Sequence, residues 1–217
     1  MRWLSCLIFF AYACNSSSEY NKLIVSKEDS IYNDQMIKRA YVSIDSFGKF
    51  IHTGDLVTRT GADFTSESLR SLNQRDQRFS HCGICSIEND TVFVYHALGG
   101  EWNPDQKIRR DPLSVFGDPS DNNSIGFFRF SLEQKQIDSV LAIAKSLYHK
   151  GIMFDLDFDL KTDDRMYCAE FVSKSYTRGS QGVLKFPTSS IGAFEFIGVD
   201  DIFLHPMCKE QGRIEYK

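Results

Sequence analysis

Two short stretches carry the residue types that acyl-transfer chemistry needs: Ser80-His81-Cys82-Gly83-Ile84 and Tyr167-Cys168-Ala169-Glu170-Phe171-Val172. A thiolate attacks carbonyl carbon well once its proton is gone, and imidazole is the side chain best suited to take that proton near neutral pH. His81 is therefore the candidate base and Cys168 the candidate nucleophile. Each also has a plainer reading. Cys168, Phe171, Val172 and Ser175 recur at 0, +3, +4 and +7, the pattern of a helix stripe facing a core. A lone histidine at a strand start is ordinarily a satisfied, half-buried side chain.

The elements that must position this pair decide between the readings. Residues 81–88 and 91–98 are β-rich runs joined by Asn89-Asp90, a dipeptide suited to a two-residue hairpin turn. Counting outward from the turn sets Glu88 opposite Thr91, Ile87 opposite Val92, Cys85 opposite Val94 and Gly83 opposite His96. Alternation then puts His81, Gly83, Cys85 and Ile87 on one face with Val92, Val94 and His96. His81 and His96 become diagonal neighbours, with a Cβ separation of about 7 Å or less. Gly83 leaves room for an imidazole to lean across. His96 is thus the candidate third member, fixing the tautomer and tilt of His81. His52, His149 and His205 read as structural or solvent-facing.

Cys168 falls near a helix start. Thr162 or Asp163 is expected to cap a helix running to about residue 177, so unsatisfied amides and the dipole favour a thiolate and a developing oxyanion there. Elsewhere, Ile37, Ala40, Tyr41 and Ile44 predict a helix within 27–47, and residues 55–60 and 125–130 predict strands. The polar segment 61–79 reads as a loop with a short helix. Ser131 with Gln134 reads as a capping box opening a helix with an apolar stripe at Ile137, Val140, Leu141, Ala144, Leu147 and Tyr148, ended by Gly151. Residues 183–186 and 195–204 read as further strands.

The 217 residues suit a single domain, and 42% apolar residues with 13% aromatics are globular. A net charge of -4 gives no electrostatic reason to expect nucleic acid. Residues 1–13 form a separate unit: a basic start at Met1-Arg2, a short apolar run and a small-x-small ending at Ala11-Tyr12-Ala13. That run is too short to span a bilayer and reads as a secretory signal peptide. Cys14 follows at once, with a polar tether over 14–26, an arrangement similar to a bacterial lipoprotein signal in which Cys14 is lipidated. Residues 27–217 are then one domain. Cys82 and Cys85 form a CxxC, but strand residues three apart face opposite ways, which suits neither a redox helix nor a zinc knuckle. They read as small buried apolar side chains.

The ordered set of motifs resembles a known family. Gly54-Asp55-Leu56-Val57, then Ser80-His81-x-Gly83-Ile84, then Phe154-Asp155-Leu156-Asp157-Phe158-Asp159 leading into Tyr167-Cys168-Ala169-Glu170-Phe171-Val172 are similar to the circularly permuted papain-like hydrolases. These form the YiiX, YebB and YaeF-like branch of the NlpC superfamily, with distant similarity to lecithin retinol acyltransferase. The resemblance covers roughly residues 50–205. It implies an α+β fold, an antiparallel sheet or small barrel packed against helices. It further implies Cys168 as nucleophile, His81 as general base and His96 as the polar third member, while Asp155 and Asp159 support the loop before the nucleophile. Many relatives have an acidic third member, whereas the acyltransferase branch has histidine.

The chemistry so implied is a Cys-His-His acyl transfer that requires no metal or organic cofactor. The leading expectation is an amidase or peptidase of the bacterial cell envelope, acting on cell-wall peptide or another amide. The alternatives are a lipid hydrolase or acyltransferase, suggested by His96 and the lipid tether, and a binding lipoprotein without turnover. Any membrane contact would be through the N-terminal anchor.

Overall fold

The computed structural model describes residues 27–100 and 103–216. Cys14, the signal segment 1–13 and Trp102 lie outside the described residues. The chain runs α1 (Lys27–Gly48), β1 (Leu56–Gly61), α2 (Phe64–Ser71), β2 (His81–Glu88), β3 (Thr91–His96), β4 (Arg109–Pro112), α3 (Leu113–Phe116) and β5 (Asn122–Phe130). It continues through α4 (Gln134–His149), α5 (Cys168–Gly179), β6 (Ser189–Ile191), β7 (Phe194–Phe196), α6 (Val199–Phe203) and β8 (Cys208–Glu215).

Six strands form one antiparallel sheet in the order β4-β3-β2-β1-β5-β8, and β6 with β7 makes a separate hairpin. With β4 and β8 as edges the sheet is open, not the small barrel given as an alternative. Neighbouring strand residues divide between two apolar layers, as a period of two requires. Leu56, Ile84, Tyr95 and Phe128 pack with Val140 and Ala144 of α4, Phe171 and Tyr176 of α5, and Ile202 and Phe203 of α6. Val57, Cys85, Val94 and Phe127 pack on the other face with Ala40 and Ile44 of α1 and with Leu113 and Phe116 of α3. Cys82 belongs to the first layer and Cys85 to the second, so the CxxC is split across the sheet.

The β2–β3 hairpin has the expected register, from Glu88 opposite Thr91 to Ile84 opposite Tyr95. Asn89 and Asp90 both have positive φ (48° and 61°), the conformation that a twisted two-residue turn demands. Four other expectations are corrected. Helix α4 opens on Glu133, not Ser131: Gln136 Oε1 accepts the Glu133 N–H at 3.0 Å. Helix α5 opens on Tyr167 and runs to Gly179. Asp163 does not cap it but lies beside its exposed side, bonded to Lys174 and Arg178. Residues 183–186 form no strand. Much of the 195–204 run is α6, because Asp201 three residues after Gly198 accepts the Gly198 N–H at 2.8 Å and starts a helical turn.

The Gly54-Asp55 motif ties the sheet to its neighbours. Gly54, at φ +86°, donates its N–H to the Cys85 carbonyl, and its own carbonyl accepts the Tyr176 hydroxyl at 2.8 Å. Buried Asp55 takes both arms of Arg129 at 2.7 Å and the His52 N–H at 2.7 Å. Asp55→Asn removes the charge that Arg129 needs and is expected to cost about 2–4 kcal/mol of stability in denaturant unfolding. A loss within 0.5 kcal/mol would show that Asp55 is not a structural anchor.

Candidate functional site

Strands β2, β3 and β4 lie side by side, and each supplies one member of a hydrogen-bonded relay. Nε2 of His81 is 2.8 Å from Nδ1 of His96, and Nε2 of His96 is 3.1 Å from Oδ2 of Asp111. Both imidazoles are buried. Gly83 permits this approach, since a Cβ there would lie 2.5 Å from Val94 Cγ1 and 3.1 Å from His96 Cβ. Phe116 of α3 packs against both rings, at 5.7 Å from His81 and 5.0 Å from His96.

The relay fixes tautomers. Against the upward effect of burial, hydrogen bonds from His96 and Arg109 hold the Asp111 carboxyl down at about 2, so it is an acceptor at neutral pH. His96 must then donate from Nε2 and accept at Nδ1, and His81 must donate from Nε2. The nitrogen left bare is Nδ1 of His81, free to take a proton. Burial lowers both imidazoles to about 4, so each is neutral near pH 7.

Cys168 is the first residue of α5 and is buried. Its thiol is pulled well below its ordinary value, first by a hydrogen bond from the Cys82 thiol. Burial opposes this, and His81 and the Ala169 amide add to it. The charge of a Cys168 thiolate in turn raises His81. His81 and Cys82 point to opposite faces of β2, so the Cys168 thiol meets both only because it lies at the strand's end. Cys82 itself stays protonated, raised by burial and then by Cys168. Its S–H is thus a donor to the thiolate, a role that a reading as small apolar filler misses.

The structure therefore brings His81, His96 and Cys168 together and adds Asp111 and Cys82. Asp111 is hidden in the sequence because Arg109–Pro112 is a short polar stretch ending in proline, tolerated only at a sheet edge. Buried Asp155 accepts the N–H groups of Asp157 and Asp159 at 2.9 and 2.6 Å and so folds the loop ahead of Cys168, whereas Asp159 is exposed and accepts the Lys161 N–H. Beside Cys168 runs a small groove lined by Leu69, Leu72, Phe158, Phe196, Ile197 and Val199. Its far wall is tied down by Asn73, which accepts the Val199 N–H at 3.0 Å, and by Asp200, which accepts the Arg75 N–H at 2.7 Å.

An α+β domain with a thiol at a helix start facing a buried imidazole relay defines the class, and comparison with known proteins narrows it. The chain is 26% identical over 148 residues to the uncharacterised YiiX protein of Escherichia coli strain K12; the aligned stretch spans 66% of each chain. It also matches a crystal structure from Escherichia coli O157:H7, described as metalloprotein yiiX, DUF1105, with a TM-score of 0.62 and 18% identity over 76% of this chain and 98% of that one. No family model matches the sequence. The chain is thus similar to E. coli YiiX in sequence over the aligned stretch and shares the fold of the E. coli O157:H7 structure.

The relay makes an acid-stability prediction. The two imidazoles sit at about 4 in the folded protein against an ordinary 6.5, so an unfolded chain binds protons that the folded one refuses between those values. Stability contributed by the neutral imidazoles is full above pH 6.5 and falls as pH drops toward 4. The loss should amount to several kcal/mol in all. Melting temperature measured from pH 7 to 4 should fall steadily, with a shallower slope in His81→Asn; a flat profile in the native protein would contradict buried neutral imidazoles.

Proposed function

We propose that this protein is a cysteine-dependent acyl-transfer hydrolase, acting as an amidase or peptidase. The observation that supports the reading most is the relay from Asp111 through His96, which leaves the bare Nδ1 of His81 to serve the buried Cys168 thiol. In the first half-reaction His81 takes the Cys168 proton and the sulfur bonds to the carbonyl carbon of an amide or ester. The oxyanion faces the first-turn amides of α5, which have no acceptor within the helix. The tetrahedral species collapses as protonated His81 gives its proton to the departing amine or alkoxide, leaving a thioester on Cys168. Water, losing a proton to His81, then attacks the thioester, and the carboxylic acid and the thiol are released.

The role of His96 is to hold His81 in the productive tautomer, and the role of Asp111 is to hold His96. Histidine as third member is then compatible with the acidic third member of the amidase branch, since the acid follows one step further along the relay. The permuted papain-like arrangement, histidine ahead of cysteine in the chain, agrees with this use of the sheet and of α5. A second reading, hydrolysis or transfer of an acyl lipid, is favoured by one observation: the groove at Cys168 is lined mainly by apolar side chains. The metal of the E. coli protein is not carried over to this mechanism. Among the described residues no three His, Cys, Asp or Glu side chains are grouped to hold an ion, and His81 and His96 already spend a ring nitrogen on each other.

For location we propose export across the inner membrane with anchoring through lipidated Cys14, so that the substrate is met in the cell envelope. Among the described residues no helix is long and apolar enough to cross a membrane.

Incubation of the protein with muropeptides and with phospholipids, beside Cys168→Ala, tests the reading. Turnover of one class that falls by at least about a thousandfold in Cys168→Ala is expected, the scale on which a nucleophile acts. Turnover that survives the substitution would refute the assignment. Asp111→Asn should keep the fold yet invert the preferred hydrogen-bond direction along the relay, lowering kcat about a hundredfold or more with little change in KM. An unchanged kcat would show that the relay does not set the His81 tautomer.

A further inference from the structure

A second cavity of about 350 Å³ borders the relay on its His96 side. It is distinct from the groove at Cys168 and shares no lining residue with it. Its charged lining consists of Arg59 and Arg109 with Asp63, Asp111 and Asp121. Most of these groups are already engaged. Asp111 is held by His96 and Arg109, and Asp63 accepts the N–H and hydroxyl of Ser66 at 2.9 and 2.6 Å to cap α2.

Arg59 stands apart. It lies on β1 directly opposite His81, and its guanidinium rests 5.0 Å over the ring of Phe116, the same ring that packs on His81 and His96. Nη1 donates to the Phe116 carbonyl at 2.9 Å, while Nε is enclosed and has no hydrogen-bond partner. Among the described residues no carboxylate is close enough to form an ion pair with it. A half-buried cation with no carboxylate paired to it, held flat by an aromatic ring at the wall of a cavity, is a preorganised receptor for a planar anion. Asp63, Asp111 and Asp121 outnumber Arg59 and Arg109 on the lining, so the cavity carries no net positive charge and Arg59 acts as a local site within it. That balance disfavours a dianion such as phosphate, so an anion read by Arg59 carries a single charge, as a carboxylate does.

We propose that Arg59 binds a carboxylate of the substrate in this cavity. The proposal rests on the acyl-transfer reading and deepens it. The substrate is an acylated compound bearing a free carboxylate a few bonds from the scissile carbonyl, as in an N-acyl amino acid or a peptide end. Its charge is read by Arg59.

Calorimetric titration of the protein with N-hexanoylglycine and with its neutral amide, N-hexanoylglycinamide, tests this directly. The native protein should prefer the carboxylate by about tenfold or more, the scale of one charge-assisted hydrogen bond, and Arg59→Gln should abolish the preference. Equal affinity for the two compounds, a preference that persists in Arg59→Gln, or no binding of either at millimolar concentration would overturn the proposal. If Arg59→Gln does not fold by circular dichroism, Arg59→Lys keeps the charge and loses the planar fork. It should weaken carboxylate binding at least about threefold, and unchanged affinity would overturn the assignment. Iodoacetamide labelling of Cys168, run alongside, separates the two readings. An inert thiol with the carboxylate preference intact would sink the hydrolase and leave the receptor standing; a reactive thiol without the preference would sink the receptor alone.

Discussion

The arrangement depends on one constraint: Asp111, an ionised carboxylate at the sheet edge, can only accept hydrogen bonds. From that, each proton position inward is determined. His96 must turn an N–H toward Asp111, which makes its other nitrogen an acceptor, which makes His81 a donor on the same side and a base on the other. Three neighbouring strands are needed because each residue comes from a different one, and the pairing of His96 with Arg109 places Asp111 within reach on the same face. A slip of one residue in either pairing would turn a relay member to the opposite face. Gly83 and Phe116 complete the constraint by leaving one space for the two rings and filling the rest.

Burying two imidazoles is unfavourable, and the surrounding structure carries that cost. On the far side of the sheet α5 is fixed by Tyr176, whose hydroxyl reaches the Gly54 carbonyl, and by packing on α4 through Val140 and Gly179. Glu170, buried and raised to about 7 chiefly by desolvation, holds the helix start by accepting the Tyr167 N–H at 3.3 Å and pairing with Lys174 at 2.7 Å. The thiol is thereby held at the end of β2 by contacts that are themselves anchored to the sheet through Gly54 and Asp55. The meeting of the His81 imidazole and the Cys168 thiol is thus a property of the sheet–helix junction rather than of either stretch alone.

Local rules explain which features could be read from residue order. Asn89-Asp90 specifies a tight turn, and a tight turn specifies register, so the neighbouring of His81 and His96 followed by counting. Cys168 at a helix start was also legible, although the cap was misplaced at Thr162 or Asp163, because a tyrosine at the capping position gives no side-chain signal while aspartate does. Asp111 and β8 were illegible for a common reason: Arg109–Pro112 and the run Cys208–Glu215 are largely polar edge strands, formed because a neighbour offers unpaired backbone groups and not because their own pattern alternates. Helix α6 failed differently, its five residues being too few to show a helical period.

The two cavities give the junction a direction. Helix α2 borders both, with Ser66 on the charged cavity and Leu69 and Leu72 on the apolar groove. One short helix therefore lies between an apolar groove at the thiol and a polar cavity at the imidazoles. A base that must later donate its proton works best where the departing group can be solvated or held by charge, and a thioester lasts longest where water is scarce. The linings differ in that sense: apolar side chains surround the Cys168 thiol, and Arg59 with the Asp111 relay lines the other cavity. In the charged cavity Arg109 is held by Asp111, so Arg59 is there the cation whose donors the fold has not already spent on a carboxylate.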